Sequence, residues 1–471
     1  MNIPLDIIAA LRLSMLVSLA VVAACGGVGS GGTGAEIITL SNGTVTGFGS
    51  VIVDGTRFDD RGASTVVEAE PGNEVVTEIR LGDRLEVVSE VAGVAKTLRV
   101  EATVVGVVTA MQSGGFQVLG QTVSINTDAT LGPVTQLAGY TMASDVQTGH
   151  VVEVHGVHKV SGNADVVQAT RVEKRSGLPT FLRVSGQVHA LGAGASKQFT
   201  LGALTVDYGS ATIEPVGAEL VDGASVLVFA PPDRLTTQSG GSQRLNAAAL
   251  RIKSLRSDAS DAYASGIVAQ LDTTNGRFQL SGLRVTYSPA AISPAGKALA
   301  NGQYVQARGQ VAADGSLAAK LVTIRDGRSQ PEAELKGTLS GFDAAANTFV
   351  VRGVLVAVNG AALQGCPSTG LVNGLFVEVE GVMSASGVVA RKVQCESEPS
   401  DALIEREGVA GSVDLVNSTF SLKPENSAAI PVSWNALTFF GGVTPQTLNG
   451  MKVQAQGVLV NGVLQASKVK R

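Results

Sequence analysis

His150, His155 and His158 fall in one short stretch, TGHVVEVHGVHK, and His189 follows. Grouped imidazoles suggest zinc, which needs three or four converging ligands. On a strand, His150 and His155 have opposite parity and point to opposite faces. Only His155 and His158, across a turn at Gly156, could meet, and two ligands are too few, so they read as exposed hairpin histidines with no metal. Carboxylates that could hold calcium occur in VDGTRFDDRG (53–62) and at Asp272, Asp343 and Asp414. None has the dense spacing of an EF-hand loop, and turn formation already accounts for them. Gly29-Ser30-Gly31-Gly32-Thr33-Gly34 is formally G-x-G-x-x-G, but it neither follows a strand nor opens a helix, so it reads as a flexible tether. H-E-x-x-H, G-x-S-x-G and C-x-x-C are all missing from the sequence. No catalytic residue and no cofactor is therefore expected.

The elements that would position any site are short strands. Valine is abundant, 57 glycines punctuate the chain and only 4% of residues are aromatic, which suits strands and tight turns better than helices. A net charge of −5 spread over 471 residues leaves no basic footprint for nucleic acid. Self-comparison then yields six copies of one module. NGLFVEVEG (373–381) aligns with segments whose shared glycine is Gly82, Gly149, Gly223, Gly302, Gly374 and Gly450. Three and five residues later stand apolar columns, Leu85 and Val87 in the first copy, Val377 and Val379 in the fifth. Between them lie Glu86, Glu153, Leu227, Gln306, Glu378 and Gln454, a period-2 pattern with one face in a core and the other in water.

Two further landmarks repeat in register. Gly266, Gly337 and Gly408 are each followed at six residues by an aspartate and at twelve by Phe278, Phe349 or Phe420; earlier copies keep parts of this at Gly43, Gly106 and Gly186. Each module closes on a small residue, two variable ones and an aliphatic, as in Ala390 to Val393. The implied repeats are 43–103, 104–175, 181–255, 263–326, 334–396 and 404–471, separated by polar, proline-bearing linkers. PPDRLTTQSGGSQR (231–244) reads as a long exposed hairpin loop in the third copy. Five short strands per module favour an all-β tandem array of small five-stranded OB-like barrels, with a six-bladed β-propeller as the alternative.

At the start of the chain, LSMLVSLAVVAA (13–24) is too short to span a bilayer as a helix but suits a signal-peptide core. Val22-Ala23-Ala24-Cys25 resembles the bacterial lipobox. That resemblance implies a signal peptide over 1–24, lipidation of Cys25, a glycine-rich tether over 25–42 and, because Gly26 and Gly27 lack a retention aspartate, an outer-membrane location. With the repeats, the chain resembles bacterial envelope proteins built from an OB-like repeat of unknown function. In such a compartment Cys366 and Cys395 form the even remainder, and a closed barrel could bring them together as a disulfide, the alternative being two reduced thiols. The expected function is a lipid-anchored structural or binding protein whose partners are the membrane and an envelope protein or glycan, with no nucleic acid. The alternative is a polymer-modifying enzyme, which would show one concave pocket with converging titratable groups.

Overall fold

The computed structural model of the chain describes residues 38–471 apart from 92, 162–163, 193–195, 254–258, 326–332, 397–402, 426–427 and 461. The signal segment, Cys25 and most of the tether lie outside the described residues. The fold is all-β, and among the described residues the helical segments are single-turn 3-10 turns between strands. Among the described residues no helix is long and apolar enough to cross a membrane.

The fourth module shows the common plan. Its strands are Ala259–Asp272, Arg277–Leu280, Leu283–Thr286, Tyr304–Val311 and Leu317–Ile324. The first pairs antiparallel with the second and the fourth, the third runs parallel to the fifth, and the fifth returns antiparallel to the fourth. The second and third strands also pair, so the sheet is closed, and only the outer side of the first half of its first strand is left to a neighbour. Modules two, five and six repeat this circuit.

The repeated residues explain the closure. Both apolar columns of the shared strand are buried in all six copies, as are Phe278, Phe349 and Phe420. The shared glycine before that strand has φ between 80° and 92° in every copy, a left-handed conformation that costs L-residues with a Cβ about 1–2 kcal/mol. Asp272, Asp343 and Asp414 accept backbone N–H bonds within their own turns, at 2.8–3.0 Å, so these carboxylates serve local geometry. Between the fourth and fifth strands, Gly156, Gly309, Gly381 and Gly457 each sit at a register shift, and a Cβ there would meet a carbonyl oxygen of the facing strand. Modules one and three carry Ser89 and Ala230 at this position. In module three the segment 231–244 is not a loose loop: after a turn at Pro232–Arg234, Leu235–Thr237 pairs with Gln243–Asn246 and prolongs the final hairpin.

The barrels are wired out of chain order. The first strand of barrel one, Ile38–Phe48, lies parallel to the first strand of barrel four from Ile38↔Ala259 to Asn42↔Ala264, and to that of barrel five at Gly47↔Glu334 and Phe48↔Leu335. Barrels two and three join at Val104↔Val184 and Val105↔Arg183 and share one apolar core. Barrels one and five share another, barrel four's core takes in Leu40 of barrel one, and barrel six keeps a core of its own.

One device recurs at these junctions. The turn between second and third strands is Asp54-Gly55, Leu119-Gly120, Ser281-Gly282 or Arg352-Gly353, with φ positive at both residues, the type I′ hairpin geometry. Its first side chain folds back over the glycine of the first strand. A Cβ on Gly43, Gly106 or Gly337 would come within 3.0 Å of Asp54, Leu119 or Arg352 respectively. That side chain then enters a neighbour. Asp54 meets barrel four, Leu119 belongs to the core shared with barrel three, Ser281 accepts the backbone N–H of His158 in barrel two, and Arg352 reaches Gln456 of barrel six.

Candidate functional site

Where barrels one to four meet, they enclose a cleft of about 390 Å3. Strand alternation puts its residues there. The outward member of the shared strand in barrel one is Glu86, and the fifth strand of that barrel turns Arg99 outward beside it. In barrel three, the variable positions of the closing landmark turn Arg251 outward, next to Lys253. Leu40, Ile252, Leu280 and Leu283 form apolar parts of the wall, and Ser185, Ser225, Ser265, Ser281, Thr103 and Asn42 add hydroxyl and amide groups.

The charges in the cleft are paired. Arg99 bonds Glu74 at 2.7 Å and also contacts Glu86. Lys253 bonds Glu101 at 2.9 Å, and Arg251 is shared by Glu68 at 2.7 Å and Glu214 at 2.9 Å. Burial and the charge of Glu101 push the Glu86 carboxyl up, whereas Lys253 and Arg99 hold Glu101 down against its own burial. The outward column is therefore not a face in open water. Glu86, Glu153, Gln306, Glu378 and Gln454 are all half-buried, and Leu227 is buried against Phe229 and Ala249 beside Phe181.

Beneath the cleft lies a polar lock. The Asp54 side chain is fully buried; it accepts from the Thr44 N–H at 2.7 Å and the Tyr304 hydroxyl at 2.9 Å, and it contacts Ser265. The Arg84 and Arg325 guanidiniums each approach its carboxylate to 3.9 Å. Burial and the Asp54 charge push the Tyr263 and Tyr304 hydroxyls up, so both remain neutral donors.

The histidines do not converge. His155 is buried rather than exposed: Nδ1 accepts from the Arg84 N–H at 3.2 Å, while Nε2 faces Glu153 at 3.1 Å and Asp83 at 3.5 Å. Burial pushes the Glu153 carboxyl up, but the hydrogen bond and charge of His155, with Arg175 and Arg183, bring it to about 2. His158 turns instead to the cleft, beside Ser185 at 3.5 Å, and burial together with Lys253 lowers its imidazole to about 4. The register shift at His155/Gly156 separates the two partner sets. His150 stacks on Tyr140, and His189 pairs with Asp165 at 2.8 Å. Among the described residues no group of three or more His, Cys, Asp or Glu could hold a metal. The acidic stretch of barrel one is dispersed likewise, with Asp54 in the lock and Asp59 bonded to Arg61. Cys366 and Cys395 form a disulfide with Cα atoms 4.8 Å apart, joining the loop before the fourth strand of barrel five to the end of its fifth.

Four segments, 105–173, 265–323, 336–394 and 407–470, match a family described as a domain of unknown function, DUF5666, and together cover more than half of the chain. The chain belongs to the DUF5666 family. No curated protein matches it. The DUF5666 segments are barrels two, four, five and six, which have the bulge glycine and continuous final strands. Barrels one and three depart from both features, and they are the ones that supply Arg99, Glu101, Arg251 and Lys253 to the cleft.

Proposed function

We propose that this DUF5666 protein is a lipid-anchored envelope binding protein, tethered by Cys25 to the outer membrane, whose interlocked barrels hold a partner in the cleft where barrels one to four meet. The observation that carries the binding role is the cleft itself, built from four modules and floored by hydroxyls and paired charges. A charged partner would have to break the Arg99, Lys253 and Arg251 pairs. A polar, uncharged surface of an envelope glycan or protein meets the serines, Thr103 and Asn42 without doing so. The apolar run before Cys25 and the Cys366–Cys395 disulfide, a bond favoured in oxidising compartments, support the envelope location.

Two measurements test this. Wild type should partition into detergent and Cys25→Ser into the aqueous phase; unchanged partitioning refutes the anchor. A photo-crosslinking residue at Leu283, in the cleft, should form an envelope adduct that the same residue at exposed Val416 does not; equal adducts at both refute the cleft.

One observation favours the enzyme reading. Glu86 and Glu101 share the cleft, and their carboxyls are pushed in opposite directions, the division of labour a general acid and a general base require. Under that reading, a polymer-cleaving activity is lost in both Glu86→Gln and Glu101→Gln while binding persists.

A further inference from the structure

A second pocket, of about 360 Å3, opens where barrels one, five and six meet. It lies at the opposite end of barrel one's first strand from the Asn42 side of the cleft and is lined by Phe48, Asp60, Arg352, Asn435, Phe439 and Gln456, among others. Arg352 occupies the left-handed turn position (φ 52°) that asparagine or aspartate fills at least cost, and only 9% of it is exposed. Its guanidinium lies 5.6 Å from the Phe48 ring centroid, and its Nε donates to the Gln456 amide oxygen at 3.1 Å. Nη1 has no hydrogen-bond partner, and neither does Oδ1 of Asp60, although both atoms are buried. Leaving a buried donor and a buried acceptor unmade costs each its desolvation, and more where charge is involved. A left-handed arginine with an unmade bond and an aspartate with an unmade carboxylate oxygen, both in the lining of one pocket, mark a place built for an occupant.

The occupant's chemistry follows from the two atoms. It must accept from Nη1 and donate to Oδ1, which a hydroxyl does with one atom. The acidic and basic side chains of the pocket, Asp60, Glu78, Arg352 and Lys468 with Arg61, leave little net charge to attract an ion, and Glu78 already pairs with Lys468. Phe48, Ile79, Leu437, Phe439 and Val458 supply apolar wall, and Asn435, Gln456 and Gln465 supply amides. Apolar wall with a few convergent polar groups, in a volume at the small end of ordinary ligand pockets, suits a ring that carries hydroxyls on its rim and C–H bonds on its faces. We propose that this pocket binds a neutral saccharide segment, one hydroxyl of which joins Arg352 Nη1 to Asp60 Oδ1. The site is independent of the Cys25 anchor and of the cleft where barrels one to four meet.

Trp434, the single tryptophan of the chain, precedes Asn435 of the pocket wall and packs on Phe440, with ring centroids 6.0 Å apart, so its emission reports on occupancy. Full-length protein is titrated with chitotetraose and maltotetraose, and with tetragalacturonate as the charged comparison. The expected result is a saturable Trp434 response to a neutral tetrasaccharide, weakened about tenfold or more in Asp60→Asn and in Arg352→Lys with unchanged circular dichroism. Asp60→Asn preserves shape and carries the test if Arg352→Lys fails to fold. The proposal is overturned by silence toward both neutral probes, by unchanged affinity in Asp60→Asn, or by preference for tetragalacturonate; the first result would leave the two polar atoms to a bridging water.

Discussion

Replacing Asp54 by asparagine tests whether barrels one and four are locked by charge or merely touch. The shape of the side chain is kept, but an acceptor oxygen becomes a donor NH2 facing groups that are themselves donors. Thr44 N–H at 2.7 Å, Tyr304 hydroxyl at 2.9 Å and Ser265 compete for the one remaining oxygen. Arg84 and Arg325, 3.9 Å away, lose their anion in a site where the carboxylate has no exposure. Arg84 keeps Asn42 at 2.6 Å, Thr44 at 3.0 Å and the Ser265 carbonyl at 3.2 Å, which tempers the loss. Removing one partner of a buried charge cluster costs about 3–5 kcal/mol, and the lower half of that range is expected. With six barrels a single unfolding transition is not assured, so the assay is hydrogen exchange read by peptide. Amides of Ile38–Phe48 and Ala259–Asp272 should exchange about a hundredfold faster or more, while those of barrel six stay unchanged. A double-mutant cycle with Tyr304→Phe should show coupling above about 0.5 kcal/mol. An Asp54→Asn chain whose protection is unchanged at this junction refutes the lock.

Acid should weaken the fold in two adjoining steps. An unfolded imidazole takes up its proton near pH 6.5 and folded His158 only near 4, so between these values the unfolded chain binds more protons and stability falls, by up to about 3 kcal/mol less a discount for the partly open ring; His158→Gln should flatten denaturant midpoints over that window. Glu153 contributes stability above pH 4.5 that is lost as pH falls toward 2, and Glu153→Gln should remove that second step. Gly43→Ala puts a Cβ 2.5 Å from Val53 and 2.7 Å from Asp54, whereas Gly374→Ala (φ 92°) meets only open space; the first should cost more than the 1–2 kcal/mol or so of left-handed strain expected for the second, and equal melting shifts would refute the close approach. Cys395→Ser opens a loop of sequence separation 29 and should cost about 3–4 kcal/mol, with faster hydrogen exchange confined to barrel five.

The barrel itself was legible because its determinants are local. An apolar column with period two, a left-handed glycine and an Asx turn each declare themselves within a dozen residues, and Val377, Gly374 and Asp414 sit as their spacing implies. The glycine of the first strand was visible as a repeat, but its reason, room for the side chain of the turn, required the fold. The cleft was not legible, since Arg99, Glu101, Arg251 and Lys253 come from barrels brought together out of chain order. Arg251 occupies one of the variable positions of the closing landmark, where variation itself was the only signal. In the sequence His155 reads as an exposed hairpin residue and Asp54 as a turn former; nothing in one dimension shows that each is covered by another barrel.

The pairing of barrel one with barrels four and five bears on how the chain is made. Synthesis proceeds from the N-terminus, yet the strand Ile38–Phe48 meets its outer neighbours only after residues 259–264 and 334–335 have emerged. Until then the outer side of both ends of that strand is unpaired, so the first strand of the array is among the last to be completed. A chain stopped after barrel three would contain the circuit of barrel two and the Val104–Val184 joint, but the outer side of its first strand would be unpaired, a template for aggregation. For this architecture, a shortened chain is therefore expected to aggregate, and barrels one, four and five behave less like beads added one at a time than like a knot drawn tight from its far end.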